Sequence, residues 1–183
     1  MSEDLLIDQC SPTMAGIKTG SLFSCYADDK KTLNADIRRF NARLVPKGLR
    51  LVPMKFENNR ALIYMYRPSK LENDLNDPTA HSILSGLDYS SSGADSKVAI
   101  LRKKINTSES FPHEIGLFLG YPPEDVQGFI ENRAEHCKCV GCWKVYGNVE
   151  EAKQRFRQYE KCTQVYYTQW RKGYSIERLA VTA

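Results

Sequence analysis

Two stretches of this 183-residue chain gather the side chains that could do chemistry. The first is Phe111-Pro-His-Glu-Ile-Gly-Leu-Phe-Leu-Gly-Tyr-Pro-Pro-Glu-Asp125, which sets His113 and Glu114 beside a short apolar run between prolines. Proline suits the first position of a helix, where a missing N–H costs nothing. Pro112 is therefore expected to open a short helix, with Gly120 as its left-handed stop. Glu114 suits the positive end of that helix, whereas an imidazolium does not. His113 is thus expected to be neutral, able to take a proton or bind a metal. The plainer reading is that both residues only brace a well-capped turn.

The second stretch is His136-Cys137-Lys138-Cys139-Val140-Gly141-Cys142, which packs four nitrogen and sulfur donors into seven residues. Thiolates and imidazole select zinc, copper(I) or iron. His136, Cys137, Cys139 and Cys142 are therefore a candidate zinc or iron site. The signal lacks the second half of a paired Cys-x-x-Cys arrangement. Redox-sensitive thiols and free structural cysteines remain the alternatives. A third candidate is Cys10. The segment Cys10-Ser11-Pro12 reads as a helix start, with Ser11 as N-cap. A thiol just before a helix N-terminus has a lowered pKa. A thiol enzyme would pair Cys10 as nucleophile with His113 as base, and Glu114 or Glu124 would orient the imidazole. The alternative for Cys10 is a small buried apolar residue.

The positioning elements follow from apolar spacing. Leu33, Ile37, Phe40 and Leu44 recur every three or four residues and predict an amphipathic helix. Residues 49–56 and 61–66 are β-rich runs around Asn58-Asn59, a pair that tolerates the positive φ angles of a two-residue hairpin. Pro53 removes a ladder donor, so it puts that strand at an edge or a bulge. Tyr64 and Tyr66, on the second run, are expected to share one side of the sheet. Short helices are predicted over 69–76 and 78–85, a loop over Leu87–Ser96, and a helix carrying Val98, Leu101 and Ile105. Pro122-Pro123 opens another helix, whose Glu124, Asp125 and Glu131 disfavour DNA reading. A strand is predicted over Cys142–Tyr146. Asn148 then caps a long helix whose stripe of Phe156, Tyr159, Tyr166 and Trp170 faces a core. Basic residues between these aromatics offer the alternative of single-stranded nucleic acid. A last strand is predicted over Tyr174–Val181.

The composition is that of a soluble globule, 42% hydrophobic and 26% charged. A net charge of +4 is too mild to demand a nucleic-acid or lipid partner. No run approaches the ~20 apolar residues that span a bilayer. The first residues, Met-Ser-Glu-Asp-Leu-Leu, lack the basic start and apolar core of a secretory signal. The chain is therefore read as cytoplasmic, with its six cysteines reduced.

Four segments, taken together, resemble a bacterial family of unknown function found mostly in anaerobic Gram-positive organisms. They are Ser11-Pro-Thr-Met-Ala-Gly-Ile-Lys-Thr-Gly-Ser-Leu-Phe23, Leu62-Ile-Tyr-Met-Tyr-Arg-Pro68, Phe111–Val126, and Trp143-Lys-Val-Tyr146 with Lys161-Cys-Thr163. The resemblance brings no established activity. Gene neighbours encoding flavodoxin or ferrous-iron transport give it a lean toward iron or redox physiology.

The resulting expectation is one α+β domain over residues 1–183. Its mostly antiparallel sheet has about five strands, near residues 21, 49, 61, 142 and 175, with helices packed on it and a long C-terminal amphipathic helix. The expected function is a binding or accessory protein for a small molecule, a metal or a redox protein, with its site around His113. The alternatives are the Cys10–His113 thiol enzyme and an interaction module built on the basic C-terminal helix.

Overall fold

The computed structural model describes residues 1–89 and 93–182. The chain is α+β. Three strands form an antiparallel sheet in the order β1-β3-β2: β1 (Gly20–Tyr26), β2 (Arg50–Glu57) and β3 (Arg60–Tyr66). The turn between β2 and β3 is the two-residue Asn58-Asn59, with φ +49° and +58°. Asparagine bears these angles because its short polar side chain bonds locally.

Alternation along β3 divides the molecule. Ala61, Ile63 and Met65 point into one core, and Tyr64 and Tyr66 into the other. The first core is closed by α1 (Glu3–Met14) and α2 (Lys30–Leu44). All four periodic residues of α2 are buried, and Gly48 ends the turn after it at φ +74°. The second core is closed by α3 (Pro68–Leu75), α4 (Pro78–Ser85), α5 (Ala94–Thr107), α6 (Ile115–Phe118) and α7 (Pro123–Glu131). Tyr64 and Tyr66 lie parallel there, 4.9 Å apart. Both expectations for Pro53 hold: β2 is an edge strand, and its register with β3 shifts between Pro53 and Lys55.

Two remaining strands, β4 (Cys139–Val140) and β5 (Lys144–Val145), form a separate hairpin instead of extending the sheet. The strand expected over Tyr174–Val181 is instead α9 (Ile176–Leu179). Ser175 caps it, and Ile176 and Ala180 are buried one turn apart. That spacing of four is helical, and it outweighs the β propensity of the individual residues. The loop expected over Leu87–Ser96 lies partly outside the described residues, at 90–92, and its last three residues already belong to α5.

The long helix is α8 (Val149–Arg171). The Asn148 side chain accepts from the Glu150 and Glu151 amides, as a cap should. It packs along α1, and its stripe serves two cores. Ala152, Phe156 and Tyr159 meet Trp143 of the hairpin, while Tyr166 and Trp170 meet the first core. Arg67, 1% exposed, ties this side together. Its guanidinium donates to the carbonyls of Thr13, Met14, Lys47 and Val181. The first two lie at the C-terminal end of α1, where positive charge is favoured.

The helix holding Cys10 does not start at Ser11. It starts at Glu3, with Ser2 as cap, and Pro12 lies inside its last turn. The lost Pro12 N–H leaves only the carbonyl of exposed Asp8 without its helical partner, and water can serve it there.

Candidate functional site

The glycine and prolines of the 111–125 stretch set two short helices against each other. Gly120, at φ +76°, ends the turn after α6, and Pro123 opens α7. Gly116 lets them approach, since a Cβ there would stand 2.7 Å from Val126 Cγ2. The β4–β5 hairpin folds over this pair and encloses a mostly apolar cleft of about 380 Å³. Tyr121, Trp143 and Phe129 form its walls, and His113 and Lys144 its polar edge. Tyr121 stacks on Trp143 at 4.8 Å, and Trp143 meets Phe156 of α8 edge-on at 4.5 Å. The offset and edge-on geometries suit the quadrupoles of the rings.

Asp125 fixes the hairpin to α7. It is 2% exposed. Its carboxylate accepts three hydrogen bonds of 2.7 Å, from the Trp143 indole N–H and the Tyr146 and Gly147 amides. A buried carboxylate needs such a full set of donors. In the sequence Asp125 is one of two acids in the first turn of a helix. Its partners lie 18 to 22 residues away, so no local pattern betrays them. Lys144 reaches back to donate to the Ala134 carbonyl at 2.7 Å, closing the other end of the hairpin.

His113 and Glu114 part company. α6 begins only at Ile115 and is one turn long, so the expected helix-start environment for His113 is not formed. His113 is exposed on the cleft side, its ring edge-on to Phe129 at 5.0 Å. It makes no side-chain hydrogen bond among the described residues. Glu114 turns inward and is 5% exposed. It accepts from the Tyr89 hydroxyl at 3.0 Å and faces Lys104 Nζ at 3.4 Å. Lys104 also lies over the Tyr89 ring at 4.6 Å and donates to the Leu87 carbonyl. Glu114 therefore ties α6 to α5 and cannot orient the His113 imidazole.

Cys10 lies in the first core with no exposed surface. Burial pushes its thiol well above the usual range, the reverse of an activated nucleophile and in keeping with the other reading, a small buried apolar residue. A thiol without solvent access, in a different core from the cleft, is not placed to act with His113.

The four candidate metal ligands are strung along the hairpin. His136 is exposed at φ +59°, Cys139 is held in β4 opposite Val145, and Cys142 is exposed at the turn. Cys137 precedes the strand and is half-buried. Among the described residues, no three His, Cys, Asp or Glu side chains gather in a way that could hold a metal ion. Only Cys139 is held in a strand, His136 and Cys137 precede it and Cys142 sits at the turn, so the four as placed do not converge as a zinc or iron site requires.

Lys18 carries no local signal in the sequence. It follows α1, and its Nζ lies 5.7 Å from the Tyr121 ring centroid and 5.8 Å from that of Tyr159. Burial pushes its pKa down. Burial likewise pushes Tyr121 up to about 12, so its hydroxyl stays protonated and donates to the Cys142 carbonyl at 3.2 Å. Among the described residues, no helix is long and apolar enough to cross a membrane.

A family model described as "Protein of unknown function (DUF3793)" matches residues 6–180. No curated protein and no solved structure matches the chain. The match covers nearly all of the sequence, and the chain belongs to that family.

Proposed function

We propose that this member of a family of unknown function is a binding protein. Its ligand is a small, largely apolar molecule seated between α6, α7 and the β4–β5 hairpin. The observation that carries the reading is the cleft of about 380 Å³ with ring walls and a single imidazole at its edge. Its volume lies within the range of small-molecule sites, about 300–1,000 Å³. Such sites are typically apolar, with a few polar groups that fix orientation. His113 supplies one here, because its ring nitrogens bond to no other side chain or backbone group among the described residues. The reading favours binding over thiol chemistry, since Cys10 offers no accessible nucleophile.

The test is native mass spectrometry of protein isolated without oxygen, followed by titration of the co-purified molecule into His113→Gln and Phe129→Ala. Each variant is expected to lose about tenfold or more in affinity, the equivalent of about 1.4 kcal/mol. His113→Gln should leave the melting temperature within about 1 °C, because an exposed ring contributes little to folding. Unchanged affinity in both variants would remove the cleft as the site. A large fall in the stability of His113→Gln would make His113 a structural residue.

A further inference from the structure

A second groove, of about 680 Å³, runs along the outer side of β2 between the end of α2 and α5. It shares no lining residue with the cleft. An edge strand normally offers unpaired N–H and C=O groups that could accept an added peptide strand. Here those groups are taken. Asn41 of α2 receives the Leu51 amide at 2.8 Å and donates to the Leu51 carbonyl at 2.9 Å. Pro53 has no N–H to offer. Asn106 of α5 donates to the Met54 carbonyl at 2.7 Å, which the bulge had freed from the ladder. Strand addition is thus blocked at Leu51, Pro53 and Met54.

What it does present is charge above an apolar floor. On α5, Asp95, Val98, Ala99, Arg102, Lys103 and Asn106 recur every three or four residues, and all line the groove. Val45 and Val52 complete the apolar part. The cations are Arg50, Arg102 and Lys103, and the only carboxylate among the lining residues is Asp95. Asp95 is already engaged by Arg50 and by the Tyr66 hydroxyl at 2.6 Å. Arg102 and Lys103 have no ion-pair partner among the described residues, which leaves two positive charges unopposed.

We propose that this groove binds a small organic phosphate. A phosphate monoester carries about −1.5 to −2 at neutral pH, which matches the two unopposed cations. Arginine adds a planar fork suited to phosphate oxygens, and lysine a point charge. A bare phosphate would fill only a small part of the groove. The valine floor calls for an apolar or flat body attached to the phosphate.

The test is an amide NMR titration of the full chain at low salt with phenyl phosphate, inorganic phosphate and phenol. Phenyl phosphate is expected to shift the amides of Arg50, Val98, Arg102 and Asn106 and to bind at least about tenfold more tightly than either fragment. The double variant Arg102→Gln with Lys103→Gln should weaken it by about tenfold or more, because both charge-assisted contacts are lost. Both side chains are exposed, so the spectrum elsewhere should not change. No groove shift at about 10 mM phenyl phosphate, weaker than any specific ligand site, would overturn the proposal. So would equal binding by the double variant. Equal binding of inorganic and phenyl phosphate would overturn the organic ligand in particular.

Discussion

Removing the Asp125 carboxylate should release the hairpin that covers the cleft. Asp125→Ala orphans three donors: the Trp143 indole N–H and the amides of Tyr146 and Gly147. An unsatisfied buried donor costs about 1–3 kcal/mol. Trp143 is 7% exposed, so its N–H bears most of that cost. Tyr146 and Gly147 are half-buried, and water can partly replace the carboxylate there. The total should settle at about 3–4 kcal/mol. Asp125→Asn should cost less, about 1–2 kcal/mol. Its carbonyl can keep the two backbone bonds, but its amide group then meets the indole N–H donor to donor. Urea unfolding followed by tryptophan fluorescence and circular dichroism gives the global loss. Hydrogen exchange localises it at the amides of Lys138 and Gly141, which bond to the carbonyls of Val145 and Trp143. Their protection should fall by about 10²–10³-fold in Asp125→Ala, as 3–4 kcal/mol requires. A loss below about 1 kcal/mol with unchanged exchange at both amides would refute the reasoning, since it would mean that the hairpin stands without its anchor.

Two further outcomes follow from other parts of the molecule. The Arg43 hydrogen bond holds the Glu177 carboxyl down to about 2, from an ordinary 4.5. A depressed carboxyl contributes stability above its unfolded pKa and loses it as pH falls through the folded one. The stability difference between wild type and Glu177→Gln should therefore be present above pH 4.5 and close as pH falls toward 2. With the two side chains 29% and 34% exposed, solvent screening limits it to about 1 kcal/mol or less. A difference that persists undiminished at pH 2 would refute the assignment. Alkylation of the native protein should modify Cys142 and spare Cys10 until the chain unfolds, since one thiol is exposed and the other buried. Labelling of native Cys10 at a rate similar to that of Cys142 would contradict its burial.

What the sequence determined by itself is local. The spacing of Leu33, Ile37, Phe40 and Leu44 specified α2, because a helix returns to the same face every three or four residues whatever surrounds it. Asn58-Asn59 specified the β2–β3 hairpin, because few residues accept two successive positive φ angles. Pro53 specified an edge strand through one backbone hydrogen bond lost, and Asn148 a helix start through two gained. The 111–125 stretch was legible as a constrained turn because its prolines and Gly120 fix the backbone, and His113 lines the cleft beside it. Tertiary structure decided what each polar side chain faces. His113 and Glu114 are neighbours in sequence, but the turn before α6 sends one to the cleft and the other to Tyr89 and Lys104. Cys10 took its character from the core that closed over it, because desolvation depends on neighbours far along the chain. The close spacing of His136, Cys137, Cys139 and Cys142 did not gather them as a metal site, because only Cys139 is held in a strand while His136 and Cys137 precede it and Cys142 lies at the turn. Asp125 became the anchor of the cleft only when residues 143–147 folded back onto α7, a meeting that no periodicity within either segment encodes.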